Sequence, residues 1–458
     1  MEELNLIIPE LRNDMIQMLQ RWIAIPSLKD TPAEGAPFGA EVNRMLLTAL
    51  ADAEALGFAT RNIDGYAGDI RMGPLGENPL AVLAHLDVVP AGDGWQTNPF
   101  EAVITDDRIY GRGTSDDKGP AVAALFAMLA IRQAGIPLSR EVRLILGCDE
   151  ETGMEDMAYY REHYDIPKTG FTPDASFPVI NTEKGLMQLE LRSPAATEGL
   201  QVESISVGER FNVVPGLAKA MVRGTQALCE KVNRLAGDMH LSVSADMAGE
   251  GLVCLTSTGI TGHAAYPEAA RNAIDQLLLM LRALGVCGPL KVMADCVSMT
   301  SDGHGLNIHC RDEISGALTC NLGIMRYDAS GMYATFDIRF PLLANADRIL
   351  KTLTAALGDT ISVTVAARKE PHHVAPTSEL VTALLDAYHD ETGRERECVS
   401  TGGGTYARCL EEGVAFGASF PEDEDLAHQA GEYISIDNML QDVRIFANAI
   451  VRLAGKPN

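Results

Sequence analysis

The first 180 residues alternate short apolar runs with longer segments of helical periodicity, and this alternation restricts the possible folds most strongly. PLAVLAHLD (79–87) and REVRLILGCDE (140–150) are short runs with apolar side chains at successive positions, which is typical of strands buried on both faces. GPAVAALFAMLAIRQAG (119–135) predicts a helix between them that stops at Gly135. Strands that alternate with helices predict an α/β unit around a mostly parallel sheet.

The pattern changes at about Gly185, where pairs of strand-like segments begin to alternate with helical ones. This arrangement predicts an α+β region of ferredoxin-like type. A long helical segment, SELVTALLDAYHDETG, follows, and we expect the chain to return there to its first domain. A chain of 458 residues is too long for one compact core. We therefore predict a discontinuous first domain of residues 1–182 and 375–458, with residues 183–374 inserted as a lid.

Charge and composition exclude several classes of partner. The chain carries 63 acidic and 37 basic side chains, a net charge of −26, which repels the phosphate backbones of nucleic acids. It has no apolar run long enough to span a membrane, and its acidic N-terminus does not resemble a signal peptide. Nine scattered cysteines without a CxxC pair indicate reduced thiols. We therefore expect a cytoplasmic protein that binds neither nucleic acid nor membranes.

The motif HLDVVPAGDGW places His85 at the end of a predicted strand, where ligands bind in open α/β sheets. Asp87 lies two residues later, on the same side of an extended chain. A carboxylate beside a metal-bound imidazole fixes its tautomer and raises its basicity. A histidine at a strand end also serves purely structural purposes, so this motif alone leaves the question open.

Two further motifs crowd acidic side chains together. GRGTSDDKGP (111–120) contains Asp116 and Asp117, and CDEETG brings three acids, at positions 149–151, directly after an apolar strand. Adjacent carboxylates repel one another unless a cation or solvent screens them. The alternatives are a helix N-cap formed by Asp117 and a solvated turn at 149–151.

Asp174 in FTPDASFP and His428 in HQAGEYIS complete the set of candidate ligands. Each of them, taken alone, is typical of an ordinary loop residue. Together the motifs supply two imidazoles and several carboxylates, a combination that suits zinc and also manganese or cobalt. Histidines outside these motifs are interpreted as surface or structural residues; they include His163, His240, His304, His309 and His389.

The order of these motifs resembles that of the co-catalytic metallopeptidases, which include glutamate carboxypeptidases, aminoacylases, succinyl-diaminopimelate desuccinylases and peptidase V. HLDVVPAGDGW, GRGTSDDKGP, DEETG, FTPDASFP with the following NTEKG, and TGGGTYAR are most similar to the peptidase V-type dipeptidases. The resemblance covers nearly the whole chain. Because five motifs occur in the family's order, it outweighs the structural alternatives for each motif alone.

The resemblance implies two divalent metal ions, with zinc expected and manganese or cobalt as alternatives. His85 and Asp174 would bind one ion, and Glu151 and His428 would bind the other. Asp116 would bridge the two ions.

The same resemblance implies roles for residues that do not bind metal. Glu150 would be the general base that takes a proton from the metal-bridging water. Asp87 would orient His85. The peptide bond between Asp116 and Asp117 is cis in the family, and we expect the same here.

Residues of the predicted lid also match family positions that contact substrate. His263, in GITGHAAYPEAARNA, would stabilise the tetrahedral oxyanion. The two residues after it are Ala264 and Ala265, a mild departure from the residues that the family usually has there. The terminal carboxylate of the substrate would be held by four residues: Asn212, Arg339, Gly403 and Gly404.

A dipeptide is the expected substrate, because peptidase V-type members have an enlarged lid that closes the site without a second subunit. The resemblance also implies a monomer. The alternative activity is that of an N-acyl-amino-acid amidohydrolase of the deacylase or desuccinylase type, which would use the same two ions. A metal-binding protein without catalysis is disfavoured because Glu150 is present, and a binding site needs no general base.

Overall fold

The computed structural model describes residues 2–76, 78–297 and 299–456, which form two compact units. The first unit comprises the described residues up to Asn181, the segment Val374–Val399 and the chain from Gly404 onward. The second comprises Thr182–His373 and the short segment Ser400–Gly403. Each unit has its own large cluster of buried apolar side chains. None of the helices among the described residues is long and apolar enough to cross a membrane.

A mixed sheet forms the centre of the first unit. Its strands are, in spatial order, Ala59–Ile63, Ala67–Met72, Val142–Gly147, Leu80–His85, Thr169–Thr172, Glu412–Ala415 and Val179–Glu183. The three pairings in the middle are parallel, and those toward both edges are antiparallel. Every residue of Leu80–His85 and Val142–Gly147 is buried, as their apolar sequences predict. The α/β class predicted for this part of the chain is therefore confirmed.

Helices cover this sheet, and the most apolar of them is the predicted one. Lys118–Gln133 is buried along almost its whole length, and the chain leaves it at Gly135, whose φ of 66° suits a residue without a side chain. The helices of this unit are Glu2–Glu10, Arg12–Ile23, Ala40–Ala55, Lys118–Gln133, Glu155–His163, Glu379–Thr392 and Ile436–Ala454. Its short strands are Val103–Thr105, Arg108–Tyr110, Ala175–Ser176, Ala418–Ser419 and Tyr433–Ser435.

An antiparallel sheet of eight strands forms the second unit. Its strands are, in spatial order, Val243–Gly249, Leu252–Thr258, Leu217–Arg223, Val202–Val207, Thr319–Asp328, Gly331–Phe340, Gly185–Ser193 and Ser362–Lys369. Burial alternates along Gly185–Ser193, so one face of the sheet belongs to the core. The helices are Gln226–Asp238, Ala273–Ala283, Gly288–Cys296 and Ala346–Leu357. This is an α+β unit with an antiparallel sheet, and its ferredoxin-like topology stays a prediction.

The second unit also contains two pairs of short strands. Val213–Val214 pairs with Gly262–His263, and Arg311–Asp312 pairs with Gly316–Ala317. The chain also includes the strands His372–His373 and Cys398–Thr401.

Candidate metal centre

His85 ends a central strand of the first unit, and its side chain is fully buried. Its Nδ1–H donates to the backbone oxygen of Asp87 at 2.9 Å, and the Asp87 carboxylate lies 3.5 Å from the same nitrogen. In the neutral imidazole this hydrogen bond places the proton on Nδ1, so the lone pair is on Nε2. The Asp87 carboxylate also accepts the N–H groups of Glu150 and Glu151, each at 3.2 Å. Asp87 therefore connects the ends of two neighbouring strands.

Asp116 lies between the two histidines of the motifs. Its Oδ1 is 2.9 Å from Nε2 of His85, and its Oδ2 is 3.0 Å from Nε2 of His428. The peptide bond between Asp116 and Asp117 is cis, which confirms the expectation from the sequence. Asp117 stands before the helix Lys118–Gln133 but does not cap it, because its carboxylate accepts the backbone N–H of His85 at 2.9 Å. The helix-cap alternative for Asp117 is therefore wrong.

The remaining acids of the motifs gather around the same histidines. Asp174 lies 3.8 Å from Nε2 of His85, and Glu151 lies 3.0 Å from Nε2 of His428. Two sets of three side chains bring their ligand atoms within 4.8 Å of one another. These sets are His85, Glu150 and Asp174, and His85, Asp116 and Glu151.

The electrostatics of this cluster require positive charge. Burial, followed by repulsion from Asp174, raises the pKa of Glu150 well above its usual value. Burial and the nearby Asp116 raise the pKa of Glu151 to about 7. Burial alone would lower the pKa of His428, but hydrogen bonds to Asp116 and Glu151 outweigh it and raise the pKa to about 11. Without metal ions, these carboxylates are neutralised only by binding protons or by protonated imidazoles.

The donor set fits divalent metal ions. The lone pair on His85 Nε2 points toward two carboxylates, an arrangement that is repulsive unless a cation or a proton lies between them. Two imidazoles with several carboxylates are typical of zinc, cobalt or manganese sites. His85 and Asp174 are close enough to bind one ion, and His428 and Glu151 are close enough to bind another. Asp116 presents one oxygen to each histidine, as a bridging ligand must.

Glu432 supports this centre, although no motif singled it out. Its buried carboxylate accepts the backbone N–H groups of Gly113, Ser115 and Asp116 at 3.0, 3.0 and 3.3 Å. It also forms an ion pair of 2.5 Å with Arg112, which is buried as well. Glu432 therefore holds the loop that presents Asp116. Its position in HQAGEYIS, four residues after His428, was the only signal in the sequence.

Two further buried polar groups hold the segments around the centre. The Nζ of Lys118 donates to the backbone oxygens of Trp22 and Ile25 at 3.0 and 2.8 Å, and burial lowers the pKa of Lys118 to about 7. The carboxylate of Asp156 accepts the backbone N–H of Asp149 at 2.9 Å and the hydroxyl of Tyr406. No motif indicates these contacts, because their partners are distant in the chain.

The second unit contains most of the residues predicted to contact substrate. Nδ1 of His263 accepts the backbone N–H of Ala265 at 3.2 Å, and the other ring nitrogen is Nε2. That nitrogen lies 3.5 Å from the side-chain amide of Asn212. Both ring nitrogens of His263 therefore face N–H donors, and Nε2 is available to donate to an oxyanion when it carries the proton.

Arg339 is buried and already paired within the second unit. It donates to both carboxylate oxygens of Asp337, at 2.6 and 3.1 Å, and to the backbone oxygen of Gly402 at 2.8 Å. These contacts occupy three of its five N–H groups. The N–H of Gly403 donates to the hydroxyl of Thr401 at 2.9 Å, so it is engaged within its own loop. Gly404 begins the returning segment of the first unit.

Comparisons with known proteins identify the family. The sequence profile of Peptidase family M20/M25/M40 matches residues 81–452. The "Putative dipeptidase YtjP" of Bacillus subtilis (strain 168) is 38% identical over 97% of this chain and 98% of its own length. A "Putative dipeptidase" of Staphylococcus epidermidis is 32% identical over the same shares of the two chains.

Solved structures show the same fold at much lower sequence identity. Human carnosine dipeptidase 1 is similar over 99% of this chain and 98% of its own, with a TM-score of 0.61 and 16% identity. The dipeptidase Dug1p of Saccharomyces cerevisiae covers 100% of this chain and 99% of its own, with a TM-score of 0.61 and 12% identity. From its profile match and its full-length relatives, the chain belongs to Peptidase family M20/M25/M40 and is a metallopeptidase.

Proposed function

We propose that this protein is a dipeptidase that uses two divalent metal ions. Asp116 would bridge the two ions, and each of the other ligands would bind one of them. The observation that carries the proposal is the convergence of two imidazoles on one carboxylate, with Asp116 2.9 Å from His85 and 3.0 Å from His428. Glu151 and Asp174 add a carboxylate next to each histidine. Zinc is the first candidate, and manganese and cobalt suit the same donors.

When bound, the two ions would supply Lewis acidity and lower the pKa of a water molecule between them. Glu150 would accept a proton from that water and pass it to the leaving amine. Burial and the neighbouring Asp174 raise the pKa of Glu150 above its usual value, which is the direction that favours accepting a proton. Asp87 keeps the proton of His85 on Nδ1, so that Nε2 stays available as a ligand.

Recognition of the substrate is proposed for the second unit. His263 would donate from Nε2 to the oxyanion that forms on the peptide carbonyl. Arg339, with Asn212 and the Gly403–Gly404 turn, would bind the terminal carboxylate. A site that grips both the scissile bond and a free carboxylate one residue away favours dipeptides. The names of the two bacterial relatives support this choice. We further propose, from the charge and the resemblance, that the protein is a cytoplasmic monomer.

The decisive experiment compares free dipeptides with N-acyl amino acids after the protein has been loaded with zinc, manganese or cobalt. A dipeptidase should cleave the dipeptides with the higher kcat/KM. A higher kcat/KM for N-acyl amino acids would assign the amidohydrolase activity instead. If the protein bound metal ions stoichiometrically but hydrolysed neither dipeptides nor N-acyl amino acids, it would be a metal-binding protein without catalysis.

We predict that Arg339→Lys raises the KM for a free dipeptide much more than for the corresponding dipeptide amide. Lysine keeps the charge beside Asp337 but lacks the planar fork that binds a carboxylate through two hydrogen bonds. Alanine is less suitable, because it would leave Asp337 buried without its partner. Steady-state kinetics on both substrates test the prediction, with exposed Arg234→Lys as the control. Equal losses on both substrates would rule out a carboxylate contact.

We predict that His263→Ala lowers kcat for a dipeptide by about 10²–10³-fold, because one donor to the developing oxyanion is lost. The contact strengthens in the transition state, so KM should change much less than kcat. Glutamine at the same position retains an N–H donor and should recover part of the rate. Metal content should equal that of the wild type in both variants. An unimpaired kcat for His263→Ala would remove this residue from the chemistry.

A further inference from the structure

A second group of metal-binding side chains lies in the second unit and shares no residue with the centre described above. Asp302, His304 and His309 bring one carboxylate oxygen and two imidazole nitrogens within 4.8 Å of one another. These residues belong to the connection between the helix Gly288–Cys296 and the strand Thr319–Asp328. Neither histidine occurs in any motif that the sequence analysis identified.

The backbone of this connection brings the two histidines together. A short 3-10 turn, His304–Leu306, reverses the chain, and the ring of His309 stacks on that of His304 with centroids 3.9 Å apart. Leu306 and Ile308 are buried in the apolar core of the unit. The backbone oxygen of Ser301 accepts the N–H of Cys320 at 2.7 Å, which ties the connection to the sheet. The two rings are therefore held by anchored backbone.

Asp302 is oriented toward both rings. Its Oδ1 accepts the hydroxyl of Thr300 at 2.7 Å and the backbone N–H of His304 at 3.1 Å. Its Oδ2 lies 2.7 Å from Nδ1 of His304 and 3.8 Å from Nδ1 of His309. Oδ2 of Asp302 therefore faces the Nδ1 atom of each imidazole ring.

We propose that Asp302, His304 and His309 form a binding site for a further divalent transition-metal ion. Ligand atoms about 2.1 Å from a tetrahedral ion lie roughly 3.4 Å apart, and the two measured separations of 2.7 and 3.8 Å lie on either side of that value. Binding one ion would require rotations about the histidine side-chain bonds that end the stacking of the two rings, and both side chains are exposed enough to make them. Two imidazoles select zinc, copper, nickel or cobalt over calcium and magnesium.

Accessibility and charge are also favourable. The side chains of His304 and His309 are 60% and 43% exposed, so an ion reaches them from solvent and water can complete its coordination. The protein carries a net charge of −26, which raises the local concentration of cations. A bound ion would join both ends of the reversing turn and hold it against the core.

The test is the number of zinc ions bound per chain, measured by metal analysis after equilibrium dialysis against zinc alone. The wild type should bind one ion more than the variant His304→Ala/His309→Ala. The control His240→Asn, which changes another exposed histidine of the same unit, should bind as many ions as the wild type. Hydrolytic activity should be unchanged in all three proteins, which shows that each one is folded.

A second measurement separates this site from the first centre. In an Asp116→Ala background, zinc binding at the first centre is expected to be weakened, and the zinc ion that remains bound should be lost when His304 and His309 are also replaced. Cobalt substitution provides a spectroscopic check, because loss of two imidazole ligands changes the visible absorption. The proposal is overturned if the double-histidine variant binds the same number of ions with the same affinity as the wild type. That result would not contradict the separate proposal of two metal ions at the first centre.

Discussion

Replacing Glu150 with glutamine is expected to reduce kcat by about 10²–10⁴-fold or more, while the protein keeps as many bound ions as the wild type. Glutamine has nearly the same shape as glutamate but cannot accept a proton. The backbone N–H of Glu150, which donates to Asp87, is untouched by the change. The loss should therefore appear in proton transfer alone.

Kinetics and metal analysis on the same sample test this role. The control is Glu155→Gln, an exposed carboxyl of the neighbouring helix that should leave both quantities unchanged. The structure makes the metal analysis necessary, because Glu150 lies within ligand distance of His85 and Asp174. Loss of an ion would make Glu150 a ligand instead of a base. A kcat near that of the wild type would exclude both roles.

Replacing Asp116 with alanine is expected to weaken both ions together, and more than any other single ligand change. One oxygen of Asp116 faces His85 and the other faces His428, so the variant removes a ligand from both positions. Removal of a residue that merely orients a ligand typically costs 10–100-fold in metal affinity. Loss of the bridging ligand itself should exceed about 100-fold at each position.

The comparison variants for Asp116 are Asp174→Ala and Glu151→Ala, which each remove a ligand from one position. Titration with zinc or cobalt should show two weakened sites for Asp116→Ala and one weakened site for each comparison variant. If Asp116→Ala retained one ion with wild-type affinity, the bridging role would be wrong. A loss of equal size in all three variants would instead indicate general disruption of the centre.

Local pattern was enough to predict the strands that carry the ligands. Leu80–His85 and Val142–Gly147 are buried on both faces and consist almost entirely of apolar residues, so their length and composition identified them. Parallel neighbours end at the same edge of a sheet, and this explains why His85 and the acids after Gly147 are close together. The motif order supplied the remaining ligands through the resemblance to known metallopeptidases.

The supporting contacts depend on residues far apart in sequence and were not predictable. The Glu432 carboxylate accepts hydrogen bonds from three backbone N–H groups of the segment from Gly113 to Asp116, which lies more than 300 residues earlier in the chain. Nothing in its neighbourhood distinguishes it from an exposed loop acid, since burial and hydrogen bonding arise only when the two loops meet. The same reason explains why Asp117 was open to interpretation as a helix cap, although its carboxylate accepts from His85.

The sequence by itself determined the classes of the two units and the central strands, and its resemblance to a known family supplied the candidate metal ligands. These features depend on local periodicity and on the order of motifs along the chain. Only the tertiary structure decided the hydrogen bond of His85 to Asp87, the pairing of Arg339 with Asp337 and the meeting of His304 with His309. Each of these depends on which donor or acceptor comes within about 3–4 Å in the folded chain, and that distance is set by packing between distant segments.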